Sequence, residues 1–305
     1  MILVTIAVIV STALGVLARH RYGDRATLAT SRGINVLFWV ILPVLTYFVI
    51  AHVRISAGVG FGVMLAFVAA AVVGTSAYLI GDRLLGLDRP STGALINCVL
   101  IGNTGYLGIP LCATLLGRDS IGEAVTFDAV VGATTMFTAG FAVGAAFGTR
   151  AGETLAERGR AFFTRNPVLY AAAFGLIAPD AIAPIEATEV ARTIFSLILP
   201  IGFFMLGVHL MGEREDGVLQ FPPPLSKPIV AVIGLRLIVA PSILLAGTLL
   251  VGIPHAFLLQ AAMPAGVYGV AIAHIYGLNI RLAAATIAWT TTIVVIAALA
   301  VSLVA

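Results

Sequence analysis

Two stretches of this chain carry residues that a purely apolar segment does not need. GNTGYLGIP spans residues 102 to 110, between LINCVLI and LCATLL, and AAMPAGVYGV spans 261 to 270. Each sets glycine, proline and hydrogen-bonding side chains inside an apolar run. Such residues break a helix, and a break in hydrocarbon frees backbone N–H and C=O groups that cost several kcal/mol each when unpaired. The half-helices beside a break also have N-termini that carry roughly +0.5 charge and aim N–H groups into it. The chemistry this suits is noncovalent capture of an anion. Gly102, Gly105 and Gly108 permit close backbone approach, and Asn103 and Thr104 add donors and acceptors. Tyr106 and Tyr268 supply aromatic walls with polar tips, while Pro110, Met263, Pro264 and Ala265 frame the two interruptions. Taken singly, either stretch also fits tight helix packing at glycine and kinking at proline. As a pair they point to a binding site.

Ionisable residues within the apolar runs come next, because a charge at a bilayer centre costs at least about 2.5–3.5 kcal/mol. Arg236 stands about ten residues into its run. It fits three roles: bidentate binding of a substrate carboxylate, snorkelling to the nearer face, or pairing with an acid on a neighbouring span. Asp128 stands just over one turn into its run, near the outer end, and suits either a coupling proton or simple solvation there. His274 shares a run with the second break, and its unperturbed pKa near 6.5 is its only claim to proton coupling. Asp82 and Arg83 read as interfacial anchors, as do His52 and His209.

The elements that must position these residues follow from composition. The chain has 305 residues, of which 60% are hydrophobic and only 10% charged, and its mean hydropathy is +1.09; soluble domains carry about 25% charged residues. A helix crossing a bilayer needs roughly 20 apolar residues. Cutting at charged and Pro/Gly-rich breaks gives ten candidate spans, near 2–17, 34–51, 57–80, 91–117, 123–148, 166–178, 189–210, 226–250, 256–277 and 282–304. None alternates apolar and polar as barrel strands do, so the expected fold is an all-α membrane bundle. No connection is long enough for a soluble domain: Thr149 to Arg165 mixes Arg and Glu, and FPPPLSKP (221–228) reads as a stiff connector. Cys98 and Cys112 fall in one span, about 21 Å apart by helical rise, which implies no disulfide unless that span folds back.

Charge gives an orientation. Arg19, Arg21, Arg25, Arg32, Arg83, Arg89, Arg150, Arg158, Arg160, Arg165, Arg214, Lys227 and Arg281, thirteen of the seventeen basic residues, fall on one side of the expected spans. By the positive-inside rule that side is cytoplasmic, so both termini are expected outside a cell inner membrane. The first span has its basic cluster behind it, as a retained span does rather than a cleaved signal peptide.

A repeat adds more. FWVILPVLTYFVIAHV from Phe38 aligns without gaps with FSLILPIGFFMLGVHL from Phe195, sharing Phe, Ile, Leu, Pro and His at one register. The offset is 157 residues, about half the chain. Each half, 1–150 and 166–305, then holds five spans, and an odd number inserts the second half inverted. Inverted repeats with broken spans at corresponding positions mark secondary transporters and their midplane sites.

GNTGYLGIPL followed by TFDAVVG, the ILPIGFFMLGVHL of span seven and the MPAGVYGVAIAHIYG of span nine together resemble the bacterial branch of the auxin efflux carrier family, relatives of the plant PIN-formed carriers. The resemblance covers nearly the whole chain. It implies ten helices in two inverted five-helix repeats with broken, crossing helices four and nine, a fold shared with the bile acid:sodium symporters. It further implies movement of organic anions such as malate, malonate or indole-3-acetate, with a core of spans three to five and eight to ten moving against a scaffold of spans one, two, six and seven. Asn103 and Pro110 match the crossing-point asparagine and proline of helix four, and Pro264 matches the proline of helix nine. Tyr268 stands where the family often has asparagine, which favours a larger or aromatic substrate or a narrower pocket.

Enzyme motifs are missing: there is no H-E-x-x-H, no G-x-x-x-x-G-K-[ST] and no serine nucleophile elbow. The expected protein is therefore not an enzyme and needs no cofactor or metal. Its partners are a small organic anion and the lipid bilayer, with no nucleic acid, and small apolar faces on the scaffold spans suit a homodimer. Sodium coupling would need several oxygen ligands converging beside the crossing and ranks below proton-coupled or uncoupled movement. A non-transporting membrane sensor is the remaining class.

Overall fold

The computed structural model describes residues 2–51, 57–117, 120–150, 152, 154–179, 181–215, 223–248 and 251–304. Among them the chain is all-helical, and the strand-type pairing is one isolated antiparallel bridge between Gly102 and Ala265. In chain order the helices are α1 (Ile2–Tyr22), α2 (24–51), α3 (57–84), α4 (Arg89–Leu100), α5 (Thr104–Leu115), α6 (Ile121–Phe147) and α7 (Leu155–Thr164). They continue with α8 (Pro167–Leu176), α9 (Ile185–Glu215), α10 (Lys227–Thr248), α11 (His255–Ala261), α12 (Tyr268–Tyr276) and α13 (Ile280–Val304). Five stretches among the described residues are long and apolar enough to cross a bilayer: Asp24–Phe48, Gly60–Leu84, Ile121–Phe147, Lys227–Thr248 and Ile280–Val301. Large apolar side chains stand exposed on their flanks, among them Trp39, Val40, Met64, Val68, Val72 and Ile296. A water-facing surface of that kind is unfavourable, whereas hydrocarbon suits it.

Helix starts follow local capping chemistry. The Asp88 carboxylate accepts from Ser91 N at 3.0 Å to open α4, and Asn166 Oδ1 accepts from Leu169 N at 3.1 Å to open α8, with proline in each first turn. Asn279 opens α13 in the same way, accepting from Leu282 N at 3.0 Å, and its Nδ2 donates to Ser91 Oγ at 2.8 Å, tying α13 to α4. Gly277 ends α12 in the left-handed region at φ 76°, where a side chain would be strained.

The fourth and ninth apolar runs are each broken into two helices, as their Gly/Pro interruptions led one to expect. The elements differ from the sequence expectation in two places. The second run extends back to Asp24, because Thr27, Leu28 and Ser31 continue a helix that hydropathy alone does not count. The Thr149–Arg165 connection holds α7, which a capping box starts: Thr154 Oγ1 accepts from Glu157 N at 3.2 Å and Glu157 Oε2 accepts from Thr154 N at 2.9 Å. His52, Arg54, Arg118, the 221–222 end of the stiff connector and the last two residues of the eighth run lie outside the described residues, as does the side chain of His209.

The helices gather into two compact units. One comprises α1 from Ile6, α2, α7, α8 and α9. Within it α1 and α9 cross backbone to backbone: a Cβ at Gly15 would strike Phe204 O, and one at Gly207 would strike Thr12 O, the small-residue contact by which apolar helices approach closely. Arg19 braces the α1–α2 corner, donating to Asp24 Oδ1 at 2.8 Å and Thr27 Oγ1 at 2.7 Å. The other unit comprises α3–α6 and α10–α13. Its core is built on Phe127 of α6 and Phe257 of α11, edge to face with centroids 5.1 Å apart, packed among Ala66, Ala69, Val131 and Leu244. A second cluster, Leu107, Leu111, Met263 and Ala298, packs α5 against α13 and the 262–267 break.

Candidate functional site

All the sequence-predicted site residues lie in the unit of α3–α6 and α10–α13. The first break is 101–103, between α4 and α5; the second is 262–267, between α11 and α12. The two breaks cross and are stitched together. Asn103 N donates to Pro264 O at 2.8 Å and Gly266 N donates to Ile101 O at 2.7 Å, which makes the Gly102–Ala265 bridge. Ala265 N donates to Thr290 Oγ1 of α13 at 3.2 Å. Close approach here depends on glycine, since a Cβ on Gly266 would stand 3.0 Å from Gly102 O.

Two further carbonyls freed by the breaks are met by one side chain. Arg236 of α10, only 8% exposed, donates from Nε to Met263 O at 2.9 Å and from Nη1 to Val99 O at 3.1 Å. It thereby ties the C-terminal end of α4 to the segment that follows the C-terminal end of α11, two half-helix ends of roughly −0.5 charge each. None of the three roles expected from sequence describes this: the guanidinium neither snorkels nor pairs with an acid, and two of its donor nitrogens are committed to backbone. The local cause is Pro241, which lacks an N–H for the carbonyl of Leu237; α10 takes a π turn over Ile233–Val239 just before it, and Arg236 stands in that turn.

The N-terminal half-helix ends face a second polar group. In α5 the first ladder bond runs from Gly108 N to Asn103 O at 3.0 Å, so the N–H groups of residues 104–107 precede the ladder. Asp128, on a π turn of α6 spanning Asp128–Gly132, sets its carboxylate there: Thr104 Oγ1 donates to its Oδ1 at 2.5 Å, and a Cβ on Gly105 would stand 3.1 Å from its Oδ2. Asp128 is partly buried against α5 rather than solvated at a helix end. Asn103 is 3% exposed, and neither its Nδ2 nor its Oδ1 has a partner; Thr135 Oγ1 and both side-chain polar atoms of Asn97 are likewise buried and unpartnered. Buried polar atoms are normally satisfied, so these side chains have hydrogen-bonding capacity to offer a bound group or water.

A cavity of about 30 Å³ lies among Gly102, Thr104, Thr135, Arg236, Phe127 and Leu244, room for a water or two. At Ala70, Leu100 and Thr135 it adjoins an open groove of about 480 Å³ lined by Phe67, Tyr78, Thr138 and Phe147. The groove is of ligand-binding size and the cavity is not, so any group larger than a water or two would reach Arg236 and Thr104 only if the inner cavity widened.

The chain matches no protein-family profile. Over 62 residues, 20% of its length, it is 34% identical to an uncharacterized transporter of Methanocaldococcus jannaschii, and the matched stretch is also 20% of that relative. The chain is thus similar to a transporter in part, and its apolar helices agree with a membrane protein.

Tyr106 and Tyr268 meet across the crossing, hydroxyl to hydroxyl, with ring centroids 5.8 Å apart. Each follows its break at the first turn of a half-helix, so the pair stands where an anion between two helix N-termini would stand. Tyr106→Phe and Tyr268→Phe should each lower stability by about 1 kcal/mol, and the double variant should cost no more than either single one. A double-mutant cycle by thermal unfolding checks this, and additive costs would mean the hydroxyls act independently. Pro110 starts the regular part of α5, and Met263, Pro264 and Ala265 are the second break itself. His274 lies apart, about 9 Å along α12 from Tyr268 by helical rise, and its carbonyl accepts from Arg150 Nη1 at 2.6 Å. Thr135, Thr290 and Gln260, whose Nε2 donates to Ala124 O at 3.1 Å, were not distinguished by sequence. A polar residue on the inward face of an apolar helix was the only available signal.

Proposed function

We propose that the protein is a secondary transporter of small organic anions, a member of the bacterial branch of the auxin efflux carrier family. It has ten spans in two inverted five-helix repeats and works by alternating access at the crossed breaks. The observation that carries this reading is the Gly102–Ala265 bridge between two broken helices, beside a buried Asn103 whose amide has no partner. Irregular backbone at membrane depth is tolerated where protein or a ligand path satisfies it, and a paired break is the geometry of a midplane transport site. The partial likeness to a transporter supports the same class. The division into two compact units supports a core of α3–α6 and α10–α13 that moves against a scaffold of the remaining helices. Pro43 and Pro200, each inside a helix, support the repeat.

In this reading the anion enters by the groove beside Tyr78 and Phe147 and meets Asn103, Thr104 and Thr135. Arg236 holds the half-helix ends in place and lends the site its positive charge. The protein sits in the cell inner membrane with both termini outside, performs no covalent chemistry and needs no cofactor. A homodimer would pack through the scaffold helices.

The test is labelled-substrate exchange and charge movement in proteoliposomes with malate, malonate and indole-3-acetate, with and without sodium. Wild type should exchange at least one of them, and Asn103→Ala should reduce that exchange by roughly 10-fold or more, the effect of losing one or two hydrogen bonds to a charged ligand. Equal exchange in the variant would remove the crossing from the substrate path.

A further inference from the structure

Resting on the carrier reading, we propose that Asp128 is a proton-binding site and that one proton enters with each anion, because the resident carboxylate and the transported anion compete for the same helix end. Thr104 Oγ1 donates to Asp128 Oδ1 at 2.5 Å, and Oδ2 lies beside Gly105, in the first turn of α5: a Cβ there would stand 3.1 Å from it. Gly132, one turn further along α6, keeps this space open: a Cβ there would stand 2.7 Å from Thr104 Oγ1 and 3.3 Å from Asp128 Oδ1. Thr104 and the buried, unpartnered Thr135 line the same cavity as Arg236. The anion's polar contacts and the resident carboxylate therefore share Thr104 and the α5 N-terminus.

The charges around Asp128 leave no room for two anions. Among the described residues it makes no ion pair. From α5 it faces Tyr106 and from α12 Tyr268, neither a source of positive charge. The charged residue of α10 at the cavity is Arg236, which lines it with Thr104 and whose Nε and Nη1 are bonded to Met263 O and Val99 O. On α3 the nearby wall is Ala66, Ala70 and Val73, and the titratable residues of that helix, Tyr78, Asp82 and Arg83, begin about 18 Å along it from Ala66. Glu123 lies five residues back on α6, and His255 opens α11. One guanidinium and one helix N-terminus, about +1.5, already fall short of one carboxylate and two helix C-termini, about −2. When two carboxylates share such a site, one of them holds a proton. Protonated, Asp128 changes from an acceptor competing for the Thr104 hydroxyl into an O–H donor toward the incoming anion. On release to the opposite face, the anion and proton leave and the carboxylate returns to Thr104.

The experiment uses the full chain in proteoliposomes with internal pyranine and labelled malate, malonate and indole-3-acetate. The membrane potential is clamped at zero, and protein-free vesicles control for leakage of neutral acid. For one proton per anion, wild type should accumulate its substrate about tenfold per unit of pH gradient, acid side to alkaline side, with a matching pyranine signal. Asp128→Asn should abolish both the accumulation and the proton signal, and Asp128→Glu should restore them. Full gradient-driven accumulation in Asp128→Asn, or wild-type anion entry with no proton signal, would overturn the proton site and leave the carrier reading standing. No entry or exchange of any of the three compounds by folded wild type would overturn the carrier reading and the proton site with it. Should Asp128→Asn not fold, the wild-type proton count and Asp128→Glu decide the question alone.

Discussion

Replacing Arg236 with methionine is expected to destabilise the protein by about 2–6 kcal/mol, one to three for each buried carbonyl left without its donor. The unfolding temperature in detergent should fall by roughly 10 °C, at a few degrees per kcal/mol for a chain of this size. Methionine keeps much of the side-chain length and removes the donors, so the loss reports the hydrogen bonds to Val99 O and Met263 O more than packing. Lysine should fall between the two, because a single ammonium lacks the planar fork that spans two carbonyls. A folded Arg236→Met protein that melts with wild type would show that the two half-helix ends need no bridge. If the proposed carrier function holds, transport should suffer more than stability does, since the bridge holds the crossing that the anion would meet.

Gly102→Ala is expected to cost nearly as much as losing the arginine, and for the same reason. A Cβ on Gly102 would overlap Arg236 Nη2 and stand 2.7 Å from Cζ, too close for any real contact. The guanidinium is held on both sides by carbonyls, so it must swing away as a whole and give up its bonds. The prediction is therefore one of coupling: in an Arg236→Met background, Gly102→Ala should cost much less than in wild type, with an interaction energy toward the upper end of the roughly 0.5–3 kcal/mol range for contacting residues. Thermal unfolding of the four proteins measures it. Additive costs would place the strain of the new methyl on backbone rather than on Arg236.

How much of this was legible beforehand depends on the range of each interaction. The breaks at 102–110 and 261–270 were readable because glycine and proline act on their own turn, and Asp88, Asn166 and Thr154 carry cap signatures within three residues. Hydropathy missed α7 because ten residues with a polar face do not raise a window average, although the Thr154–Glu157 capping box was in plain view. The role of Arg236 was not readable. Sequence offered only charged or aqueous partners for it, whereas its acceptors are main-chain carbonyls 27 and 137 residues away, exposed only because two other helices break beside it. For Asp128 the sequence left a coupling proton and simple solvation near an outer helix end both open; the approach of α5, 24 residues earlier, buries it in part and gives it Thr104.

By itself the sequence determined the solvent and the local geometry: apolar runs that need hydrocarbon or core, helices where no breaker intervenes, and interruptions where glycine, asparagine and proline cluster. These depend on composition and on contacts within a turn, which travel with the chain. Only the tertiary structure decided that the two interruptions meet as a bridge, that Tyr106 and Tyr268 touch across 162 residues, and that one arginine serves both half-helix ends. A freed backbone group in an apolar setting must find a partner, and which partner it finds is set by which helices pack beside it.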